Sequence, residues 1–226
     1  MKRETLLALN EARRANRAIV RATDLETGEE RLVDPHTDKS PLGVAAASAA
    51  RADQSGSAEI EGRTWFLSVF NPPLDLAIIG AVHIAQPLAQ MASATGYGVR
   101  VIDPRTSFAT PERFPSIRLS HEWADEALAK EPLGPRSAIV ALTHDPKLDD
   151  PALIVALNSN CFYIGALGSK KTQAARQARM RSQGFGDEAL ARIRGPVGLN
   201  IGARSPAEIA ISILAEMTQT LRVPAK

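Results

Sequence analysis

Residues 76–103 decide the fold: Leu76-Ala-Ile-Ile-Gly80-Ala-Val-His83 opens the stretch and Val99-Arg-Val-Ile-Asp103 closes it. A short, unbroken apolar run such as 76–79 suits a strand buried on both faces of a parallel sheet. The segment 83–95 reads as a helix stopped by Gly96, with Pro87 tolerable near its first turn. Strand, helix and strand in that order make one parallel crossover unit, and the rhythm then repeats. Helices are expected over 122–130, over 151–159 with Pro151 in the favoured first position, and over 169–183 with Gly184 as the stop. The strands between them are 138–142 and 162–165. The last helix, 206–221, carries Ser205 and Glu208 as a capping box. Its apolar stripe is Ile209, Ile213, Met217 and Leu221. The alternation predicts an α/β domain on a doubly wound parallel sheet.

Upstream the pattern differs. Leu6, Leu7, Leu9 and Ala12 have helical spacing, with an end near Ala15. A strand over 18–23 is turned by Thr27-Gly28-Glu29 into Arg31-Leu-Val, and 34–56 is loop-rich with a short helix over 44–51. Residues 58–70 read as a hairpin turned at Glu61-Gly62, and Asn71-Pro72-Pro73 is a stiff break. Two domains are therefore expected: a small α+β domain, 1–72, and the parallel-sheet domain, 73–226.

Bulk composition removes several function classes. Among 226 residues, 27 Lys+Arg against 25 Asp+Glu leave a charge of +2, and aromatics are 4%. That is neither a basic stripe nor a stacking platform for nucleic acid. No apolar run reaches the roughly 20 residues a membrane span needs. Glu4 and Asn10 interrupt what would be a signal-peptide core, and a single cysteine precludes an internal disulfide framework. The expectation is a soluble cytoplasmic protein.

Four segments carry candidate chemistry. Gly80-Ala-Val-His83 stands where a dinucleotide fingerprint would, and Asp103 follows Gly80 by 23 residues, near the spacing of a ribose-binding carboxylate. Val82, however, replaces the glycine that lets a pyrophosphate approach, so NAD(P) binding in the usual mode is disfavoured. Thr143-His144-Asp145 follows the third strand and falls on the same carboxyl edge as His83. These residues either contact a ligand or cap a turn opened by Asp145-Pro146; as metal ligands they lack a close-spaced pair. Gly165-Ala-Leu-Gly168-Ser169-Lys170-Lys171 is the better anion site, coupling a glycine turn, a capping serine and two lysines to a helix start. That helix continues through Arg176, Arg179 and Arg181, either as a partner contact or as a solvated face. Finally, Gly198-Leu-Asn-Ile-Gly202-Ala-Arg204-Ser205 leads into the capping box, and Arg204 is a candidate ligand contact. Cys161 begins a buried strand and reads as core rather than nucleophile.

In order, these segments resemble the XdhC/CoxI/CoxF family of molybdenum-hydroxylase accessory proteins. The matching blocks are Gly80-Ala-Val-His83, Val101-Ile-Asp-Pro-Arg105, Leu142-Thr-His-Asp145, Tyr163-Ile-Gly-Ala-Leu-Gly-Ser169 and Gly195-Pro-Val-Gly-Leu-Asn-Ile-Gly-Ala-Arg-Ser-Pro-Ala-Glu-Ile-Ala210. The short form, with Asp103-Pro-Arg-Thr, Thr143-His-Asp-Pro-Lys and Cys161-Phe-Tyr, is most similar to the CoxF branch. The resemblance implies a Rossmann-like domain behind a smaller N-terminal one. It further implies a non-catalytic chaperone that binds molybdenum cofactor (molybdopterin) and delivers it to a xanthine- or CO-dehydrogenase-type client. Other maturation factors and, in a homodimer, a second copy of the chain are the remaining partners. The cofactor's phosphate would sit around Gly168 to Lys171, with His83, Asp103, Arg105 and His144 lining the crevice. Two departures from the family pattern stand out: Val82 in the Gly-x-Gly-His turn, and no cysteine before Cys161. The competing classes are an NAD(P)- or flavin-dependent oxidoreductase with a degenerate turn, and a ligand-free interaction module.

Overall fold

Asn71-Pro72-Pro73 falls where the chain divides: in this computed structural model, which describes residues 3–223, one unit ends at Pro72 and the next begins at Pro73. The first unit runs α1 (Arg3–Arg14), β1 (Ile19–Asp24), β2 (Glu30–Val33), α2 (Pro41–Ala52), β3 (Gly56–Ile60), β4 (Arg63–Phe70). Its strands form an antiparallel sheet in the order β2-β1-β4-β3. Val20, Ala22, Trp65 and Leu67 pack one face of that sheet with Leu42, Ala46 and Ala50 of α2. The hairpin turns at Glu61 and Gly62, whose φ values of 51° and 75° are the mirror-type turn that matches strand twist. Helix α2 starts earlier than 44 because Ser40 caps it, accepting from the Gly43 amide, and Pro41 fits the first turn.

The second unit runs β5 (Leu74–Ile79), α3 (Ala85–Ala94), β6 (Tyr97–Ile102), β7 (Arg118–Ser120), α4 (Ala124–Lys130), β8 (Ser137–Ala141), α5 (Pro146–Leu157), β9 (Tyr163–Ala166), α6 (Lys170–Ser182), α7 (Asp187–Ala191), β10 (Ile193–Arg194), α8 (Pro206–Arg222). The sheet order is β10-β9-β8-β5-β6-β7 and every pairing is parallel. The chain starts at the centre, winds out to β7, crosses back beside β5 and winds out the other way. That is the Rossmann order. Leu76, Ile78 and Val101 face one way, against Leu88 of α3 and Ile213 and Met217 of α8. Ala77, Ile79 and Ile139 face the other, against Leu128, Leu153 and Met180 of α4, α5 and α6. Both layers bury the central strands, which is why they read as unbroken apolar runs.

One helix boundary needs correction. The helix expected from Pro151 begins at Pro146, capped by Asp145, and Pro151 lies inside it. Asp145-Pro146 reads as a turn opener, but the same pair is a helix cap followed by a first-turn proline. The short elements β7, α7 and β10 carry too few residues for any periodicity.

Burial separates two neighbours on α8. Ile213 is fully buried, whereas Ile211 is 49% exposed. Ile213→Ala should therefore cost about 2–5 kcal/mol in denaturant melts, and Ile211→Ala should stay within about 0.5 kcal/mol of wild type.

Candidate functional site at the carboxyl edge of the sheet

Strands β5 and β8 are neighbours, yet the chain leaves them toward opposite flanks, so a crevice opens between their turns. Gly80 holds φ +98°, and a Cβ there would collide with Cγ2 of Thr143 across the crevice. The glycine is thus required by packing at the switch point. Gly80, Asp103, Pro104, Thr143 and Leu148 close around this spot and leave no room for a water molecule.

Asp103, expected to line the crevice, is fully buried instead. Its Oδ2 accepts from the Ala81 amide at 2.8 Å and from Nη2 of Arg105 at 2.8 Å. Its Oδ1 accepts from the Arg105 amide at 3.0 Å and from Nε at 2.9 Å. Burial pushes the carboxyl up, but the Arg105 and Ala81 bonds outweigh it and hold the group below the usual range. A carboxylate so engaged has nothing left for a ribose. The exposed member of the pair is Arg105, whose guanidinium lies 4.3 Å from the Phe108 ring centroid.

On the other side of the crevice, Thr143 and His144 hang on Asp149, a residue the sequence reading passed over. Asp149 accepts from Oγ1 of Thr143 at 2.7 Å and from the Thr143 and His144 amides at 3.3 and 3.1 Å. Burial pushes its carboxyl up, against those bonds and the charge of Arg176. His144 sits in the left-handed region at φ 62°, with its ring exposed. Asp145 caps α5 by accepting from the Lys147 amide at 2.9 Å. His83 is likewise exposed, on the β5–α3 turn.

The β9–α6 turn is built differently. Gly165 is glycine because a Cβ would come within 2.6 Å of Val197. Gly168 takes φ +149° with Thr172 only 2.9 Å from where a Cβ would be. Ser169 caps α6, accepting from the Thr172 amide at 3.2 Å. The amides of Lys170 and Lys171 precede any intrahelical acceptor, and both side chains are exposed. The arginines further along are engaged: Arg179 forks onto Asp150 at 2.5 and 3.0 Å, Arg181 meets Asp187 at 2.9 Å, and Arg176 is buried. The helix is therefore not a bare basic face.

The last glycine segment is mainly architectural. Gly198 donates its amide to Oε2 of Glu216 at 2.9 Å, and the same oxygen takes the Tyr163 hydroxyl at 2.6 Å. The Arg204 and Ser205 amides both donate to Oε2 of Glu208 at 2.8 Å, so a carboxylate already occupies the start of α8. Gly202 and the Arg204 side chain are exposed beside it. Cys161 is buried, with its thiol pushed up by burial, as suits a core residue. Among the described residues, no group of three or more His, Cys, Asp and Glu could hold a metal, and no helix is long and apolar enough to cross a membrane.

A family model described as the XdhC Rossmann domain matches residues 76–217. The chain belongs to the XdhC family. Its curated XdhC relatives include a Bacillus subtilis protein named as a probable xanthine dehydrogenase component, 35% identical over 69% of this chain and 45% of that protein. The Escherichia coli molybdenum cofactor insertion chaperone PaoD is 32% identical over 66% of this chain and 40% of that one. The uncharacterized E. coli protein YqeB is 34% identical over 74% and 31%. This XdhC chain thus spans less than half the length of each. A Bacillus halodurans crystal structure described as a xanthine dehydrogenase aligns with a TM-score of 0.69 at 24% identity, over 97% of this chain and 67% of that chain, and shows the shared fold.

Two substitutions probe this edge. Gly80→Ala should cost about 2–4 kcal/mol. Thr143→Ser, which removes Cγ2, should recover part of that loss in a double-mutant cycle while the positive φ keeps the rest. Asp103 has a lowered folded pKa, so its contribution is complete above the ordinary value of about 3.9 and fades as pH falls through the folded one. Asp103→Asn should cost about 3 kcal/mol near neutral pH, and urea melts should show the gap to wild type closing in acid.

Proposed function

We propose that this chain is a maturation factor for a molybdenum hydroxylase, which holds a phosphate-bearing form of the molybdenum cofactor and passes it to a client enzyme. The observation that carries the reading is the polarity of neighbouring turns. Carboxylates satisfy the β5–α3, β8–α5 and β10–α8 turns through Asp103, Asp149 with Asp145, and Glu208. The β9–α6 turn is capped by neutral Ser169 and flanked by Lys170 and Lys171. An anionic group is repelled from the first three and attracted to the fourth. His83 and His144, both exposed, offer hydrogen-bonding imidazoles nearer the switch point for the rest of such a ligand.

Membership of the XdhC family and the name of PaoD, a molybdenum cofactor insertion chaperone, support the choice of cargo. A xanthine- or CO-dehydrogenase-type enzyme is the client class we favour, in line with the name of the B. subtilis relative. A nicotinamide oxidoreductase is less well supported. Val82 crowds the pyrophosphate position, and Asp103 is committed to Arg105.

Incubating the protein with a molybdopterin source and following retained pterin fluorescence tests the reading. Wild type should retain pterin, and Lys170→Ala/Lys171→Ala should lose most of it while melting at the wild-type temperature. Equal retention by the double variant would sink the proposed site. Micromolar saturable binding of NAD(H) in calorimetry would revive the oxidoreductase instead.

A further inference from the structure

Arg176 heads the fully buried side chains by size, at 1% exposure. It donates to Oε1 of Gln173 at 2.6 Å and to the carbonyl of Leu167 at 2.8 Å, while its Nε–H has no partner. Two carboxylates act on it through space, Asp149 and Asp150. Neither bonds it: Asp149 is taken up by Thr143 and His144, and Asp150 by Arg179. Burial lowers the guanidinium's pKa, so the fold bears a cost for keeping this charge inside. Such a cost is of order several kcal/mol and calls for a reason.

The reason lies in where the guanidinium points. Leu167 opens the β9–α6 turn, and Gly168, Ser169, Lys170 and Lys171 follow it directly. Arg176 therefore reaches back from the second turn of α6 to the base of the loop that presents the free amides. Gln173, which Arg176 also bonds, contacts the Ile193 carbonyl and closes the space beside Gly195. The guanidinium is thereby fixed behind the turn. Asp149 lies on the far side, at the β8–α5 turn, so the buried pair forms a dipole whose positive end faces Gly168.

We propose that Arg176 is the buried counter-charge of the anion site, acting as a positioning residue that holds a phosphate on the Lys170 and Lys171 amides from behind while the two lysines hold it in front. The inference rests on the anion-site reading above and adds the ligand's charge class. Three cations converging on one turn favour a terminal, dianionic phosphate monoester over a singly charged diester. The buried guanidinium with its idle N–H is the observation that sets this helix start apart from an ordinary capped one.

The test uses the full chain labelled with 15N at arginine, titrated with inorganic phosphate and, separately, with dimethyl phosphate at constant ionic strength. Phosphate should shift the buried Nε–H resonance, assigned by its absence in Arg176→Lys, and dimethyl phosphate should bind at least about tenfold more weakly. Arg176→Met should weaken phosphate about tenfold with both lysines in place, and Arg176→Lys, which keeps the charge, should stay within about threefold of wild type. If wild type does not bind phosphate, the anion site itself fails. If wild type binds and Lys170→Ala/Lys171→Ala does not, yet Arg176→Met binds as wild type does, only the role of Arg176 is overturned. Should Arg176→Met fail to fold, the wild-type resonance decides alone: an Nε–H that ignores saturating phosphate refutes the proposal. Equal affinity for dimethyl phosphate would refute the charge class.

Discussion

A parallel sheet buried on both faces must satisfy the amides of its turns at the carboxyl edge, and here carboxylates do most of that work. Asp103 takes the amides of Ala81 and Arg105, Asp149 those of Thr143 and His144, and Glu208 those of Arg204 and Ser205. Each solution stabilises its turn and gives it a negative charge. The β9–α6 turn alone among these four is satisfied by a hydroxyl, with a guanidinium beneath it. Backbone satisfaction and ligand selection are thus one constraint seen twice: the turn left without a carboxylate is the turn that can take an anion.

The strands and long helices were legible because their signals are local. Apolar runs marked β5, β8 and β9, and Ser205 with Glu208 marked the start of α8 down to its capping bonds. The site was legible only by chain position. Spacing placed Asp103 at the right strand end, but whether its carboxylate faces a ligand or folds inward depends on Arg105, two residues on, and on the Ala81 amide from another turn. Asp149 and Arg176 lay deeper still. Inside a helix an acidic or basic residue reads as solvated surface, and only tertiary packing turns these two under the sheet edge. The remaining arginines of α6 followed the same logic in reverse: a run that looks unopposed along the sequence finds Asp150 and Asp187 across space.

These placements explain how a Rossmann sheet can keep its order and move its anion site. In the usual arrangement the first turn is neutral and glycine-lined, and the acidic residue after the second strand points outward to a ribose. Here that residue points inward, so a negative charge lies directly behind the Ala81 amide where a pyrophosphate would approach. Val82 adds bulk to the same position. Phosphate binding at the first turn is thus opposed by both charge and shape. Two strands over, past β8, the β9–α6 turn offers free amides, two lysines and a buried arginine. With neighbouring strands about 4.8 Å apart, that displacement is about 10 Å along the edge. A ligand anchored there by its phosphate would extend toward His144 and the switch point, so its other end, rather than its phosphate, would meet the crevice between β5 and β8.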